Sequence, residues 1–165
     1  MTMILRRPTE KDENIFLQAI KQYPLFLEYD NNLPFSHFLN TIRNREKGID
    51  LPVNFVPVSI LAGFVGNAIV GRLSIRHKLT PLLQEFGGHI GYGVIPEYRR
   101  KGYATEMLKQ ALPICKELGI KQVMLTCDID NIGSYKAMEK NGAYLYDVIK
   151  DNERNRLSRK YLIDL

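Results

Sequence analysis

No uninterrupted apolar run approaches the roughly 20 residues that a membrane-spanning helix needs; even the stretch 58–70 is broken by Gly63, Gly66 and Asn67. The chain therefore reads as soluble. Cysteine is scarce, with two in the whole sequence, and no stretch has the pattern of a signal segment. A disulfide scaffold is thereby excluded and a reducing, cytoplasmic setting is expected. The three histidines, His37, His77 and His89, are too dispersed to suggest a metal site. Repeats, low-complexity tracts and Gly/Ser linkers are also lacking, which leaves 165 residues to form one domain, 1–165, with a sizeable core. Hydrophobic residues at 45% and charged residues at 25% are the proportions of a globular protein and exclude a disordered, collagenous or fibrous chain. Lys plus Arg exceed Asp plus Glu by 23 to 18, a net charge of +5. That excess fits an anionic partner, whether nucleic acid, a membrane surface or a small phosphorylated ligand.

The order of elements indicates an α/β fold. Residues 3–6 have strand character, and Thr9 with Asp12 makes a capping-box-like start for a helix with Ile15, Phe16 and Ile20 on one face, stopped by Pro24. Ser36 is expected to cap a second helix carrying Phe38, Leu39 and Ile42 inward and ending at Gly48. Two β-rich runs, 58–65 and 68–75, flank Gly66-Asn67 as a hairpin. A strand over 88–95 ends at Pro96, which cannot donate to a ladder. A helix over 100–118 follows, with Ala104, Leu108, Ala111 and Leu112 on its apolar face, Pro113 as a kink and Gly119 as its stop. The run 120–127 is apolar enough for a buried strand, and strand, helix and strand in succession predict a right-handed crossover between parallel strands. A helix over 131–141 and a hairpin of 143–149 with 157–162 complete a mixed sheet flanked by about four helices.

The densest chemical signal is Gly91-Tyr-Gly-Val-Ile-Pro-Glu-Tyr-Arg-Arg-Lys-Gly-Tyr-Ala-Thr105, a strand passing through a basic, glycine-containing turn into a helix. Unpaired backbone N–H groups and the positive end of the helix dipole converge at 102–105, Gly102 lets a ligand approach the backbone, and Arg99, Arg100 and Lys101 add charge. This is the physics of an anion site, although many such turns merely cap a surface helix.

The sequence resembles the GNAT superfamily of N-acetyltransferases, whose signature is Arg/Gln-x-x-Gly-x-Gly/Ala after a strand ending in a Val-x-Pro-like segment. Here Arg99-Arg-Lys-Gly102-Tyr-Ala104 follows Val94-Ile-Pro96, and Asp130-Asn-Ile-Gly-Ser-Tyr-Lys-Ala-Met-Glu-Lys-Asn-Gly142 is similar to the family's Asn-x-x-Ala/Ser helix ending in Lys-x-Gly. Gly87-Gly-His-Ile-Gly-Tyr and the ending Tyr161-Leu-Ile-Asp-Leu165 resemble a less characterised branch of it. The resemblance implies a single-domain GNAT fold: a mixed, mostly antiparallel twisted sheet whose central parallel pair splays near Val94 and Leu125 to bind acyl-CoA. It implies pantetheine along Tyr92, Gly93 and Val94, and pyrophosphate on the amides of Arg100, Lys101, Gly102, Tyr103, Ala104 and Thr105, beside Arg99. Asn131 and Ser134, on one helical face, match positions that often contact pantetheine or the thioester. Acetyl would pass from acetyl-CoA directly to a primary amine, without a metal.

Such a transfer needs a neutral amine, a stabilised oxyanion and a route for a proton to the thiolate. The backbone N–H near Val94 is the candidate oxyanion donor. His89 is the leading candidate base, because in an extended strand it shares a face with Gly91 and Gly93 and its ordinary pKa near 6.5 suits proton transfer; Glu85 is a second candidate. The plain alternative for His89 is a bond to a backbone carbonyl beneath a packing helix. Many family members carry an acidic tyrosine seven residues after the helix-starting asparagine, where this chain has Met138; Tyr135, one turn earlier, is a candidate substitute.

Cys115 and Cys127 lack a neighbouring histidine and read as small buried hydrophobes. Tyr23, Phe26, Tyr29, Phe35 and Phe38 read either as a wall of the acceptor pocket or as core. Alternating charges over 150–160, without interleaved aromatics, read as a solvated hairpin loop, so neither nucleic acid nor membrane is expected as a partner. A monomer and a homodimer are equally compatible with the sequence. Two alternatives stay open: a non-catalytic acyl-CoA-binding or sensing module, suggested by Met138, and an acetyltransferase acting on protein N-termini or lysines.

Overall fold

The hairpin legible around Gly66-Asn67 is the centre of the first of two sheets in the computed structural model, which describes residues 2–165. Strands β1 (Ile4–Arg6), β2 (Val58–Val65), β3 (Ala68–Arg76) and β4 (Ile90–Val94) follow one another in that order across this sheet. The second sheet has β5 (Gln122–Asp128), β6 (Tyr144–Asp151) and β7 (Arg156–Asp164) in the order β5-β7-β6. All their ladders are antiparallel. The expected parallel pair, β4 with β5, forms no ladder. The two sheets meet at a single bridge between Gly88 and Leu125 and at the His89 N–H, which donates to the Met124 carbonyl at 2.7 Å. Gly88 makes this approach possible: its φ is +67°, and a Cβ there would stand 2.4 Å from the Met124 oxygen. Beyond this point β4 and β5 diverge.

The described residues contain five α-helices: α1 (Glu13–Gln22), α2 (Phe35–Lys47), α3 (Pro81–Phe86), α4 (Tyr103–Glu117) and α5 (Ile132–Glu139). A 3₁₀ turn, Glu10–Asp12, leads into α1, and there the Thr9 backbone N–H and hydroxyl both donate to the Asp12 carboxylate, which Arg6 grips through both oxygens at 2.7 Å. Helix α2 begins one residue before the expected cap. Pro34 takes the cap position with φ −58°, a fixed angle that suits a helix start, and Ser36 makes no cap hydrogen bond. Helix α3 was not expected, although Thr80 accepts the Leu83 N–H and Pro81 opens the first turn. Helix α4 starts three residues later than expected because Arg100 and Gly102 have φ of +61° and +83°, outside the helical region. It runs through Pro113, which lies on the exposed side.

The first sheet carries a separate core on each face. On one, Met107, Leu108 and Ala111 of α4 pack with Leu73, Ile75 and Ile90 and with Val123, Leu125 and Tyr161 of the second sheet. Truncating a residue as buried as Leu108 to alanine costs about 2–5 kcal/mol. On the other face Phe16 lies within 4.6–5.0 Å, ring centre to ring centre, of Phe26, Phe35 and Phe38, over Ile60, Phe64 and Ile69. These phenylalanines are core. Tyr23 stays partly exposed and Tyr29 borders the cluster. The loop 23–34 is pinned to β3 by Glu28, whose Oε1 accepts from Arg72 at 2.8 Å and Arg45 at 3.3 Å.

Candidate active site

The divergence of β4 from β5 opens a cavity of about 600 Å³ bounded by β4, the start of α4 and one face of α5. Its chemistry follows from the register. The Arg76 N–H donates to His89 O and the Ile95 N–H to Val70 O, so between them Gly91 and Gly93, opposite Ser74 and Arg72, turn their backbone groups toward β3. Tyr92 and Val94 then turn theirs toward the cavity, along an edge that no strand covers. The Val94 carbonyl is taken by Arg99 Nε at 3.1 Å; the Tyr92 and Val94 N–H groups face the cavity. At the α4 end the first intrahelical bond runs from Glu106 N–H to Gly102 O at 3.0 Å. The N–H groups of Tyr103, Ala104 and Thr105 consequently lack helical acceptors, and no side chain caps them. Gly102 holds a positive φ that only glycine adopts readily, and nothing lies within 4 Å of where its Cβ would stand.

Of the residues singled out for the donor, Tyr92, Gly93, Val94, Arg99, Arg100, Gly102, Tyr103, Ala104, Thr105, Asn131 and Ser134 all line this cavity. Lys101 does not; its ammonium lies 5.4 Å from the Tyr98 ring centre. Asn131 caps α5, its Oδ1 accepting the Ser134 N–H at 3.1 Å. Sequence reasoning missed Tyr98, Gly133, Lys136, Ala137 and Lys140, which also line the cavity. Continuing the three-residue step of Asn131 and Ser134 reaches Ala137 and Lys140, so the signal for those two was present. Asn141 was missed as well: its Nδ2 donates to Thr105 O at 3.0 Å and Ala137 O at 2.8 Å, tying α5 to the first turn of α4. Among the described residues Arg99, Arg100, Lys101, Lys136 and Lys140 form no salt bridge. Uncompensated cations, orphaned amides and an open glycine fit an extended ligand with phosphates at one end.

The family model described as acetyltransferase (GNAT) domain matches residues 2–144. The chain belongs to the GNAT acetyltransferases. The uncharacterized N-acetyltransferase YnaD of Bacillus subtilis (strain 168) is 39% identical over 61 residues, 34% of this chain and 36% of that protein. The chain thus matches about a third of that curated relative's length. The RimL ribosomal L7/L12 alpha-N-protein acetyltransferase, solved in complex with coenzyme A, is similar at TM-score 0.67 and 17% identity, over 99% of this chain and 94% of that one. A GNAT-family acetyltransferase from Bacillus anthracis is similar at TM-score 0.64 and 22% identity, over 99% and 95% of the two chains. At these identities the structural likeness is one of fold.

The GNAT domain does not gather the expected catalytic side chains in its cleft. His89 lines a separate cavity of about 450 Å³ with Met124, Lys160 and Leu162. Its Nδ1 accepts the Met124 N–H at 3.0 Å, completing the β5 edge at the fork. Burial, helped by the nearby Arg76 charge, pushes its pKa below the ordinary value. In the neutral ring the proton then sits on Nε2, and the lone pair that could take a proton, on Nδ1, is already held by the Met124 N–H. The expectation for His89 is corrected by this one hydrogen bond. Glu85 is exposed on α3 and lines neither cavity, and Tyr135 packs beside the core with the Arg159 guanidinium 4.6 Å from its ring centre. Met138 is buried. Burial pushes the Cys127 thiol up, against a smaller opposing pull from Ser134, so it stays protonated and is a poor nucleophile. Cys115, wholly buried, is pushed up to about 12 by its burial.

Proposed function

We propose that this acetyltransferase moves acetyl from acetyl-CoA to a primary amine by direct attack in a ternary complex. The observation that carries the reading is the continuity of one surface: the bare backbone edge of Tyr92 and Val94 leads to the uncapped amides of Tyr103, Ala104 and Thr105 within a ring of unpaired cations. The pyrophosphate belongs on those amides beside Arg100 and Gly102, with Arg99, Lys136 and Lys140 supplying countercharge. Lys101 adds charge at longer range. Pantetheine belongs along β4, where its amides exchange hydrogen bonds with the free edge, and Asn131 and Ser134 border the opposite wall. The thioester oxygen, as it becomes an oxyanion, takes the Val94 N–H as its donor. With Cys127 held as a thiol, direct attack is favoured over an acyl-enzyme. The amine enters neutral and loses its proton to water. Small amines, protein N-termini and lysines remain the acceptor classes to separate by assay, and the RimL enzyme named above makes N-terminal peptides a rational member of the panel.

The test is release of free thiol from acetyl-CoA against polyamines, amino acids, lysine peptides and peptides with free N-termini. Turnover with one class identifies the acceptor, whereas acetyl-CoA binding without turnover across the panel overturns the enzymatic reading in favour of a sensing module. In parallel, acetyl-CoA is expected to raise the melting temperature well beyond an equal concentration of ATP, because only ligand that binds the folded state stabilises it. Equal shifts would refute the donor assignment.

A further inference from the structure

The face of β4 turned away from α4 carries a second arrangement. Leu73 and Ile75 of β3 and Ile90 of β4 point into the α4 core, so Arg72, Ser74 and Arg76 of β3 and Gly91 and Gly93 of β4 turn the other way. In register Arg72 lies opposite Gly93 and Ser74 opposite Gly91. Leu25 of the loop 23–34 lies over Gly93, its Cδ2 3.1 Å from where a Cβ would stand. Over Gly91 the same position meets, within 4 Å, Ser74 Oγ at 3.3 Å and Arg76 Nη1 at 4.0 Å and nothing else. Gly91 and Arg76 are both half-buried. The result is a recess walled by a hydroxyl and a guanidinium. Arg72 is neutralised by Glu28 at 2.8 Å, whereas among the described residues Arg76 forms no salt bridge. Its Nη1 donates to the carbonyls of Gly88 at 3.0 Å and Gly87 at 3.4 Å, and its Nε and Nη2 have no protein acceptor among the described residues. Burial, helped by the Arg72 charge, pushes the Arg76 pKa below the ordinary arginine value. The fold thus holds a partly desolvated cation with no anion of its own beside it.

We propose that Arg76 and Ser74 receive a carboxylate of the acceptor, so that the amine acetylated here belongs to a molecule that is itself acidic. This role rests on the acetyl-transfer reading above and narrows its acceptor class. The free Nε and Nη2 of Arg76 form the planar fork that matches the two oxygens of a carboxylate. The Ser74 hydroxyl, held only by a 3.3 Å bond to the Gly91 carbonyl, supplies a further donor. A strand edge is open to both faces of its sheet. An amine arriving over Gly91 therefore meets, at the Val94 N–H, the thioester that the donor brings from the α4 side. Gly91 and Val94 are three residues apart, roughly 10 Å along a strand. With one hydrogen bond of about 3 Å at the guanidinium, the acceptor must place its nitrogen roughly 7–10 Å from its carboxylate. The α-carboxylate of an amino acid is too close to its own α-amine for this. Extended ω-amino carboxylates, and peptides whose free N-terminus is followed by glutamate, are long enough. Polyamines lack the anion and meet an uncompensated cation instead.

The experiment compares acceptors that differ only in charge, with thiol release from acetyl-CoA as the readout. One series sets ω-amino carboxylates of graded chain length against their amides; the other sets peptides with glutamate after a free N-terminus against the glutamine forms. The unchanged protein is expected to favour the acid of a matched pair by about ten- to a hundredfold in kcat/KM, most strongly where the chain spans the recess. The series that shows the preference identifies whether the carboxylate comes from a small molecule or from a peptide. Arg76→Met, which keeps an unbranched stem without the charge, is expected to abolish the difference within each pair, and Arg76→Lys to restore part of it. Ser74→Ala, which leaves the Arg76 bonds to Gly87 and Gly88 in place, is expected to reduce the difference severalfold. Each ratio is taken within one protein, so partial loss of folding cannot imitate these results. Equal kcat/KM for acid and amide in the unchanged protein, or a preference that survives in Arg76→Met, would overturn the proposal. Absence of thiol release with every amine, acidic or neutral, would instead bring down the acetyl-transfer reading, and this inference with it.

Discussion

Replacing Gly102 by valine separates the two things that residue does. Gly102 opens α4 at φ +83°, and a β-branched residue held in this left-handed region costs roughly 1–2 kcal/mol. For a domain of this size that lowers the melting temperature by roughly 2–8 °C. Nothing stands within 4 Å of the new Cβ, so no clash adds to this cost and the fold is retained. The space the side chain takes is the approach to the orphaned amides. Losing two charge-assisted hydrogen bonds there, at roughly 1.5–3 kcal/mol each, weakens acetyl-CoA binding by roughly 100- to 10,000-fold. Gly102→Ala is expected to fall between. Isothermal titration with acetyl-CoA beside a melting curve reads both effects, and a folded Gly102→Val protein with unchanged affinity would refute the anion-site argument.

Two further expectations concern titrating groups. The Arg6 guanidinium, together with Thr9, holds the Asp12 carboxyl at about 2, below its ordinary 3.8, so the folded state prefers the ionised form. The resulting contribution of about 2 kcal/mol is fully present above pH 4 and is lost as pH falls toward 2. Asp12→Asn should therefore lower stability in urea unfolding at pH 7 and flatten the acid limb, and parallel stability curves for the two proteins would contradict this. His89→Ala should lower stability by about 1–3 kcal/mol by leaving the Met124 N–H without its acceptor. Because the pKa of His89 is depressed in the fold, its contribution is complete above the ordinary histidine value and declines as pH falls below it. Turnover should keep its pH profile in this variant, and loss of an acidic limb would return His89 to a catalytic role.

The parts of the fold written in local chemistry were legible. Gly66-Asn67 marked the hairpin, and the run from Gly91 to Thr105 marked the strand, turn and helix start that border the cleft, because each leaves its own residue types in sequence. Helix α3 escaped because six residues are too few for a hydrophobic period to register. His89 was misread for a different reason. Alternation was applied to a residue that lies just before β4 rather than in it, and its hydrogen bond is to Met124, 35 residues away. The division into two sheets is equally non-local, since it depends on where β5 finds β7 rather than β4.

The two cores on opposite faces of the first sheet have an energetic consequence. The α4 core underlies the cleft beside β4 and the start of α4, while the phenylalanine cluster supports α1, α2 and the loop 23–34. Groups that share no contacts make additive contributions to stability. Away from Tyr98, which borders both clusters, substitutions on the phenylalanine side are thus expected to add to substitutions in the α4 core rather than couple with them.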